Sequence, residues 1–140
     1  MSKMINFGID LGTTNSAARV IVGAPGAVGR INVVGDVDTF GVALTGGQWY
    51  SFDLTWQGTS GLDDPYLVLL GTNGQAVAYD DDGGANLNAR INFVAPATGT
   101  YFLSASDFDA GTGVYLLSAL RLNVITGNNG NDNLTGTALA

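Results

Sequence analysis

Apolar and polar positions alternate along most of the chain. Phe40, Val42 and Leu44 alternate with Thr39, Gly41 and Ala43. After Gly46-Gly47-Gln48 the same period returns, with Tyr50, Phe52, Leu54 and Trp56 set against Ser51, Asp53 and Thr55. A period of two is that of a strand with one buried face. Two such runs joined by a glycine turn predict a hairpin. Further strands are predicted over 4–9, 18–22, 30–34, 75–79, 87–95, 101–105 and 114–122. Tyr66-Leu67-Val68-Leu69-Leu70 is continuously apolar, which marks a strand covered on both faces or central in a sandwich. Gly23-Ala24-Pro25-Gly26, Gly71-Thr72-Asn73-Gly74 and Pro96 to Gly99 read as turns. Roughly eight strands spaced by turns about every ten residues predict an all-β fold, specifically a β-sandwich that is jelly-roll-like, with about eight antiparallel strands.

Composition supports this. The chain of 140 residues holds 21 glycines, and 46% of it is hydrophobic, enough for one domain with a real core. All 12 acidic residues are Asp, and the single lysine is Lys3. Exposed helix faces normally carry Glu, Lys and Ala, whereas Asp, Asn, Gly and Thr belong to turns and strand ends. A net charge of -7 leaves no electrostatic footprint for nucleic acid and does not suit an anionic membrane surface. No apolar run approaches the ~20 residues of a membrane-spanning helix, so neither a nucleic-acid partner nor membrane insertion is expected. Histidine and cysteine are both absent. Their absence removes the usual general base, the Ser-His-Asp triad, the thiolate nucleophile and Cys-based zinc sites.

The chemistry that remains is carboxylate chemistry. Asp80-Asp81-Asp82-Gly83-Gly84 sits between two predicted strands. Adjacent carboxylates repel unless something positive lies among them, and the two glycines let the backbone turn at φ > 0. The loop reads either as a holder of a hard cation such as Ca²⁺ or as a solvated acidic turn. Asp36, Asp38, Asp63 and Asp64 also fall at strand ends or in loops, and loops of a sandwich cluster at its two ends. An extended Asp36-x-Asp38 pair places both side chains on one side. Arg90 is the internal cation available to them, unless it forms an ion pair on a strand face. Paired carboxylates can also hydrolyse glycosides, but that needs a raised pKa in an apolar cleft, and these residues lie among Gly and Asn. No enzymatic activity is expected. Trp49, Trp56, Tyr66 and Tyr79 offer either an aromatic platform for sugar or peptide, or ordinary core and half-buried rings.

From about Arg30 to Leu122 the sequence resembles the bacterial pre-peptidase C-terminal domain. The residues that carry this are Gly35-Asp36-Val37-Asp38-Thr39-Phe40, Gly47 to Leu54, Leu62-Asp63-Asp64-Pro65-Tyr66 to Leu70, Ala78-Tyr79-Asp80-Asp81-Asp82-Gly83-Gly84, Pro96 to Tyr101 and Gly113 to Ser118. The resemblance implies a small β-sandwich that is non-catalytic and acts as an accessory module in secreted or surface proteins. Related modules bind calcium or polymeric and peptide ligands. It therefore points to Ca²⁺ held by Asp36, Asp38, Asp63, Asp64, Asp80, Asp81 and Asp82.

Two shorter resemblances flank this region. Gly8-Ile9-Asp10-Leu11-Gly12-Thr13-Thr14-Asn15-Ser16 resembles the first phosphate loop of Hsp70-type chaperones, but the match stops by Ala17 and lacks the rest of that site. Gly127 to Gly136 is similar to one nonapeptide of the RTX type, in which Asp132 would be a calcium ligand. That similarity implies export by a C-terminal (type I) signal and an extracellular or cell-surface location. The chain thus divides into an N-terminal extension (1–29), a sandwich (30–122) and a Gly/Asn tail (123–140). Residues 4–22 are expected to pair with their own sheet or with the edge of a neighbouring copy, which would make homo-oligomers or filaments by strand exchange. The sequence reading is therefore a secreted, calcium-binding structural or assembly subunit. The alternative is an adhesion module that takes a peptide or polysaccharide ligand.

Overall fold

The computed structural model describes residues 18–123 and a two-residue strand at 138–139. Eight main strands are β1 (Ala27–Ile31), β2 (Asp38–Leu44), β3 (Trp49–Trp56), β4 (Pro65–Leu70), β5 (Ala76–Asp80), β6 (Ala89–Val94), β7 (Gly99–Asp107) and β8 (Gly113–Leu122). A short β9 (Ala138–Leu139) pairs with β8 at Arg121 and Leu122. One sheet has the order β1-β8-β3-β6 and the other β2-β7-β4-β5, and every pairing between named strands is antiparallel. This is the jelly-roll arrangement, in which the chain crosses repeatedly between two packed sheets. The core lies between the sheets. Phe40, Val42 and Leu44 of β2 face Phe52, Leu54, Tyr115 and Leu117 of the other sheet, and all are buried.

The expected hairpin at Gly46-Gly47 is absent. β2 and β3 lie in different sheets, and among β1 to β8 only β4 and β5 pair with a sequential neighbour. A period of two records only that one face is buried, and an arch from sheet to sheet satisfies it as well as a hairpin does. The continuous run of β4 is resolved similarly. Leu67 and Leu69 point into the core, while Tyr66, Val68 and Leu70 are half-buried on the outer face. The strand expected over 30–34 is also shifted, to β1. It ends at Ile31, opposite Gly113, and leaves Val33 and Val34 exposed in a loop whose shape is set by Asn32 N–H donating to Asp36 Oδ2 at 3.2 Å.

Residues 18–23 close the open side of the sandwich at β2. Val20 N–H donates to Gly41 O and Gly41 N–H to Ala18 O, both at 2.9 Å, in a parallel bridge on the edge of β2. Gly23 N–H donates to Ala119 O of β8 in the opposite sheet at 2.9 Å. Val20 fills the gap between them at 2% exposure. Within this chain, residues 18–23 pair with their own sandwich. The chaperone-like stretch and the RTX-like nonapeptide with Asp132 lie outside the described residues. The boundary drawn at residue 29 falls inside β1.

Candidate functional site: an acidic end of the sandwich

The strand register brings the aspartates to one end. Asp38 opens β2 opposite Ala105, Pro65 opens β4 opposite Asp107, and Asp80 closes β5 opposite Leu67. The connections 32–37, 57–64, 81–88 and 108–112 therefore all emerge at this end. Every described aspartate except Asp53 lies in or beside one of them. Sequence alone could not place these loops together, because that depends on which strands neighbour one another across the two sheets.

Within this end the aspartates divide by what they already bind. Asp38 is 0% exposed, and the hydroxyl of Tyr115 on the opposite sheet donates to its Oδ2 at 2.6 Å. Asp38 is thus an inter-sheet tie within the core, and it does not share a surface with Asp36. Asp36 shapes its own loop through Asn32. Asp80 Oδ2 accepts from Gly83 N–H at 2.6 Å and from Arg90 N–H at 2.9 Å. Asp107 Oδ1 accepts from Asp109 N–H at 2.9 Å and Gly111 N–H at 3.0 Å, while its Oδ2 accepts from Asp64 N–H at 3.2 Å. These are side-chain-to-backbone turns of the kind Asp favours. The carboxylates of Asp36, Asp80 and Asp107 therefore build the loops.

Gly83 and Gly84 play a different part from the expected one. Neither adopts positive φ; Asn86 (58°) and Leu87 (64°) do. Gly83 is needed because a Cβ there would sit 2.7 Å from Asp80 Oδ2, and one at Gly84 would sit 2.8 Å from Asn88 O. The glycines serve close approach, so the loop can fold around the Asp80 carboxylate.

Asp64 is the exception among these carboxylates. Its Oδ1 is buried with no hydrogen-bond partner. Burial foremost, then the charges of Asp82, Asp109, Asp107 and Asp81, push its pKa above the ordinary carboxyl value of 3.8. Arg90, the expected cation for this end, is instead held by Asp53 on the neighbouring strand β3, Nε to Oδ1 at 2.6 Å. That hydrogen bond and charge raise the Arg90 pKa further. It is the strand-face ion pair, half exposed, and its guanidinium is engaged by Asp53. Asp109 was not singled out in the sequence; the signal was Asp107-Phe108-Asp109 in a β7–β8 connection that a jelly roll places beside 81–88. Among the described residues, no three acidic side chains are placed to hold one ion together.

One consequence is a pH test. A raised folded-state pKa means that the ionised Asp64 is disfavoured in the fold. The penalty is absent below about pH 3.8, grows as pH rises through the raised value, and is complete at neutral pH. Asp64→Asn is therefore expected to stabilise the protein at pH 7 in EDTA and to lose that advantage in strong acid. Urea unfolding at the two pH values checks this, and a variant less stable than the parent at pH 7 would refute it.

The aromatic residues do not form one platform. Trp49 and Trp56 stand at opposite ends of β3. Tyr66 touches Tyr79 and Phe108, with ring centroids 6.2 and 5.6 Å apart, on the outer face of the other sheet beside the acidic end.

The sequence model of one family, the bacterial pre-peptidase C-terminal domain, matches residues 36–107. No curated protein matches the chain in sequence. Among solved structures, the pre-peptidase C-terminal domain of a collagenase from Bacillus anthracis superposes with a TM-score of 0.54 at 18% identity, over 76% of this chain and 98% of that one. PliG, a periplasmic inhibitor of g-type lysozyme from Aeromonas hydrophila, aligns at a TM-score of 0.40 and 14% identity, over 73% of this chain and 96% of that one. The family match begins at the Asp36 loop and ends at Asp107, so it spans the connections 57–64 and 81–88 and most of the sandwich. On that match, over about half of its length, and on the shared all-β fold, the chain belongs to the bacterial pre-peptidase C-terminal domain family.

Proposed function

We propose that this chain is a non-catalytic β-sandwich module, stabilised by Ca²⁺ at its acidic end, that works outside the cell as a structural or assembly subunit. One observation carries the calcium reading. The Asp64 carboxylate is half-buried, with one oxygen unpartnered, amid Asp81, Asp82, Asp107 and Asp109 and with no cation paired to it among the described residues. Its donors are hard oxygens, and Ca²⁺ tolerates irregular oxygen geometry better than Mg²⁺, which demands a strict octahedron. Because the described residues form no ready-made cage, the ion would draw the 81–88 and 108–112 loops toward Asp64 on binding. The extracellular reading rests on the family, whose structural relative here is part of a collagenase.

Thermal unfolding in Ca²⁺ and in EDTA tests this. An ion at one hundred times its Kd stabilises by about 2.7 kcal/mol, a shift on the order of 10 °C for a domain this small. Mg²⁺ is expected to give little, and Asp64→Asn is expected to abolish the shift. An unchanged midpoint in Ca²⁺ removes the reading. A second reading, a ligand-binding module for a peptide or polysaccharide, is favoured by exposed aromatic side chains beside this end: Tyr79 at 71%, Phe108 at 56% and Trp56 at 43%.

A further inference from the structure

We propose that the cleft between Trp56 and Asp63 receives a single basic side chain, a lysine ammonium or an arginine guanidinium, presented by a partner peptide. This rests on the ligand-binding reading and names its chemistry. The cleft measures about 230 Å³ and is walled by Trp56, Gly58, Thr59, Gly61, buried Leu62 and exposed Asp63. Small-molecule pockets run to roughly 300–1,000 Å³, so this one fits one side chain. An indole with a carboxylate in the same cleft is a cation receptor: the ring face attracts the charge and the carboxylate pairs with it.

The surroundings favour a cation. The 57–64 connection shares its end of the sandwich with the acidic loops, and their summed field concentrates positive ligands there. The walls are also held before any ligand arrives. Gln57 N–H and Leu62 N–H both donate to Val114 O, at 3.1 and 3.0 Å, and Val114 N–H donates to Ser60 O at 2.9 Å. Trp56 N–H donates to Asn88 Oδ1 at 3.0 Å, tying the indole's backbone to the 81–88 connection. Gly61 packs so closely that a Cβ would lie 2.9 Å from Trp56 Cβ. A preorganised wall spares the ligand an ordering cost.

A peptide fits better than a polysaccharide. Sugar chains are gripped by aromatic faces in succession, and Trp56 has no ring partner among the described residues. A second hollow of about 310 Å³, which shares Gly58 and Thr59 as lining, is also lined by Arg30, Gln57 and Ser60. Its positive charge and hydrogen-bonding groups suit peptide carbonyls or a carboxylate that follows the basic residue.

The test uses the full chain in EDTA, so that it is independent of calcium. The probes are acetyl-Gly-Gly-Lys-Gly-Gly-amide, the same peptide with arginine or with uncharged norleucine in place of lysine, and chitohexaose. In the Trp49→Phe background the single indole N–H resonance reports on Trp56. Saturable shifts are expected with the lysine and arginine peptides and none with norleucine. By calorimetry, Trp56→Ala and Asp63→Asn are each expected to weaken binding about tenfold. Circular dichroism verifies folding, with Trp56→Leu and Asp63→Ser as substitutes should either variant fail to fold. Equal binding of the norleucine peptide overturns the proposal. So does chitohexaose binding in place of the peptides. Peptide binding that survives both substitutions overturns this site but leaves the ligand-binding reading standing, whereas no binding by any probe removes both.

Discussion

Gly29→Ala is expected to lose about 2.5–6 kcal/mol of stability, a large share of what a domain of this size possesses. Gly29 sits on edge strand β1 directly opposite Tyr115 of β8. The Tyr115 ring lies across it, so a methyl group at position 29 would overlap the phenol oxygen and the adjoining ring carbons. The ring cannot simply swing away. It is fully buried, packs edge-on against Phe40 with centroids 6.4 Å apart, and donates its hydroxyl to Asp38 on the other sheet. Overpacking a core costs about 1–3 kcal/mol, and disturbing a buried hydrogen bond to a charged group costs about 1.5–3 more. Urea unfolding measures the sum. Val28→Ala, one position away and exposed, is the control and is expected to cost under about 0.5 kcal/mol. Tyr115→Phe, which keeps the ring and loses only the hydroxyl, should fall between the two. Equal midpoints for Gly29→Ala and Val28→Ala would refute the interlock.

Removing every residue before Gly23 is expected to cost about 2–4 kcal/mol and to be repaired in trans. Val20 alone contributes about 1.5–3 kcal/mol through its burial. The deletion also returns the edge of β2 to water at Gly41 and opens the core beneath it. A synthetic peptide of residues 17–23 should restore the midpoint as its concentration rises, because it re-forms the two parallel hydrogen bonds at Gly41. A segment that can be supplied from outside can also be supplied by another copy, so this experiment bears on assembly by strand exchange. Light scattering of the deleted chain mixed with the full chain completes it. If the truncated protein is as stable as the parent, residues 18–22 do not close the sandwich in solution. If it is weakened but the peptide has no effect, the segment is structural and not exchangeable.

What the sequence revealed was local. Alternation in Phe40-x-Val42-x-Leu44 and Tyr50-x-Phe52-x-Leu54 placed those side chains in the core, where they are. It could not say which strands would pair, because neighbours β2 and β3 present the same pattern to one core from opposite sheets. The aspartate loops were legible one at a time. Their convergence follows from β7 lying between β2 and β4, which no local pattern encodes. Asp38 was misplaced for a related reason. It looked like a loop carboxylate paired with Asp36, yet it begins a strand whose first residue faces Tyr115, 77 residues further on. Leu87 was expected in a strand; at φ 64° it belongs to the turn before it, a conformation that sequence rarely advertises for leucine.

The placement of the described aspartates at one end of the sandwich makes its charge lopsided. Among the described residues, the connections at the opposite end, 45–48, 71–75 and 95–98, carry no acidic residue. In low salt such a particle approaches cationic surfaces end-on, and two copies repel when their acidic ends meet. At physiological ionic strength the Debye length is about 8 Å, so this orientation acts only over the last few ångströms of approach. A divalent ion held at that end, as proposed, would lower this charge asymmetry and weaken the attraction to cationic surfaces and the repulsion between acidic ends together.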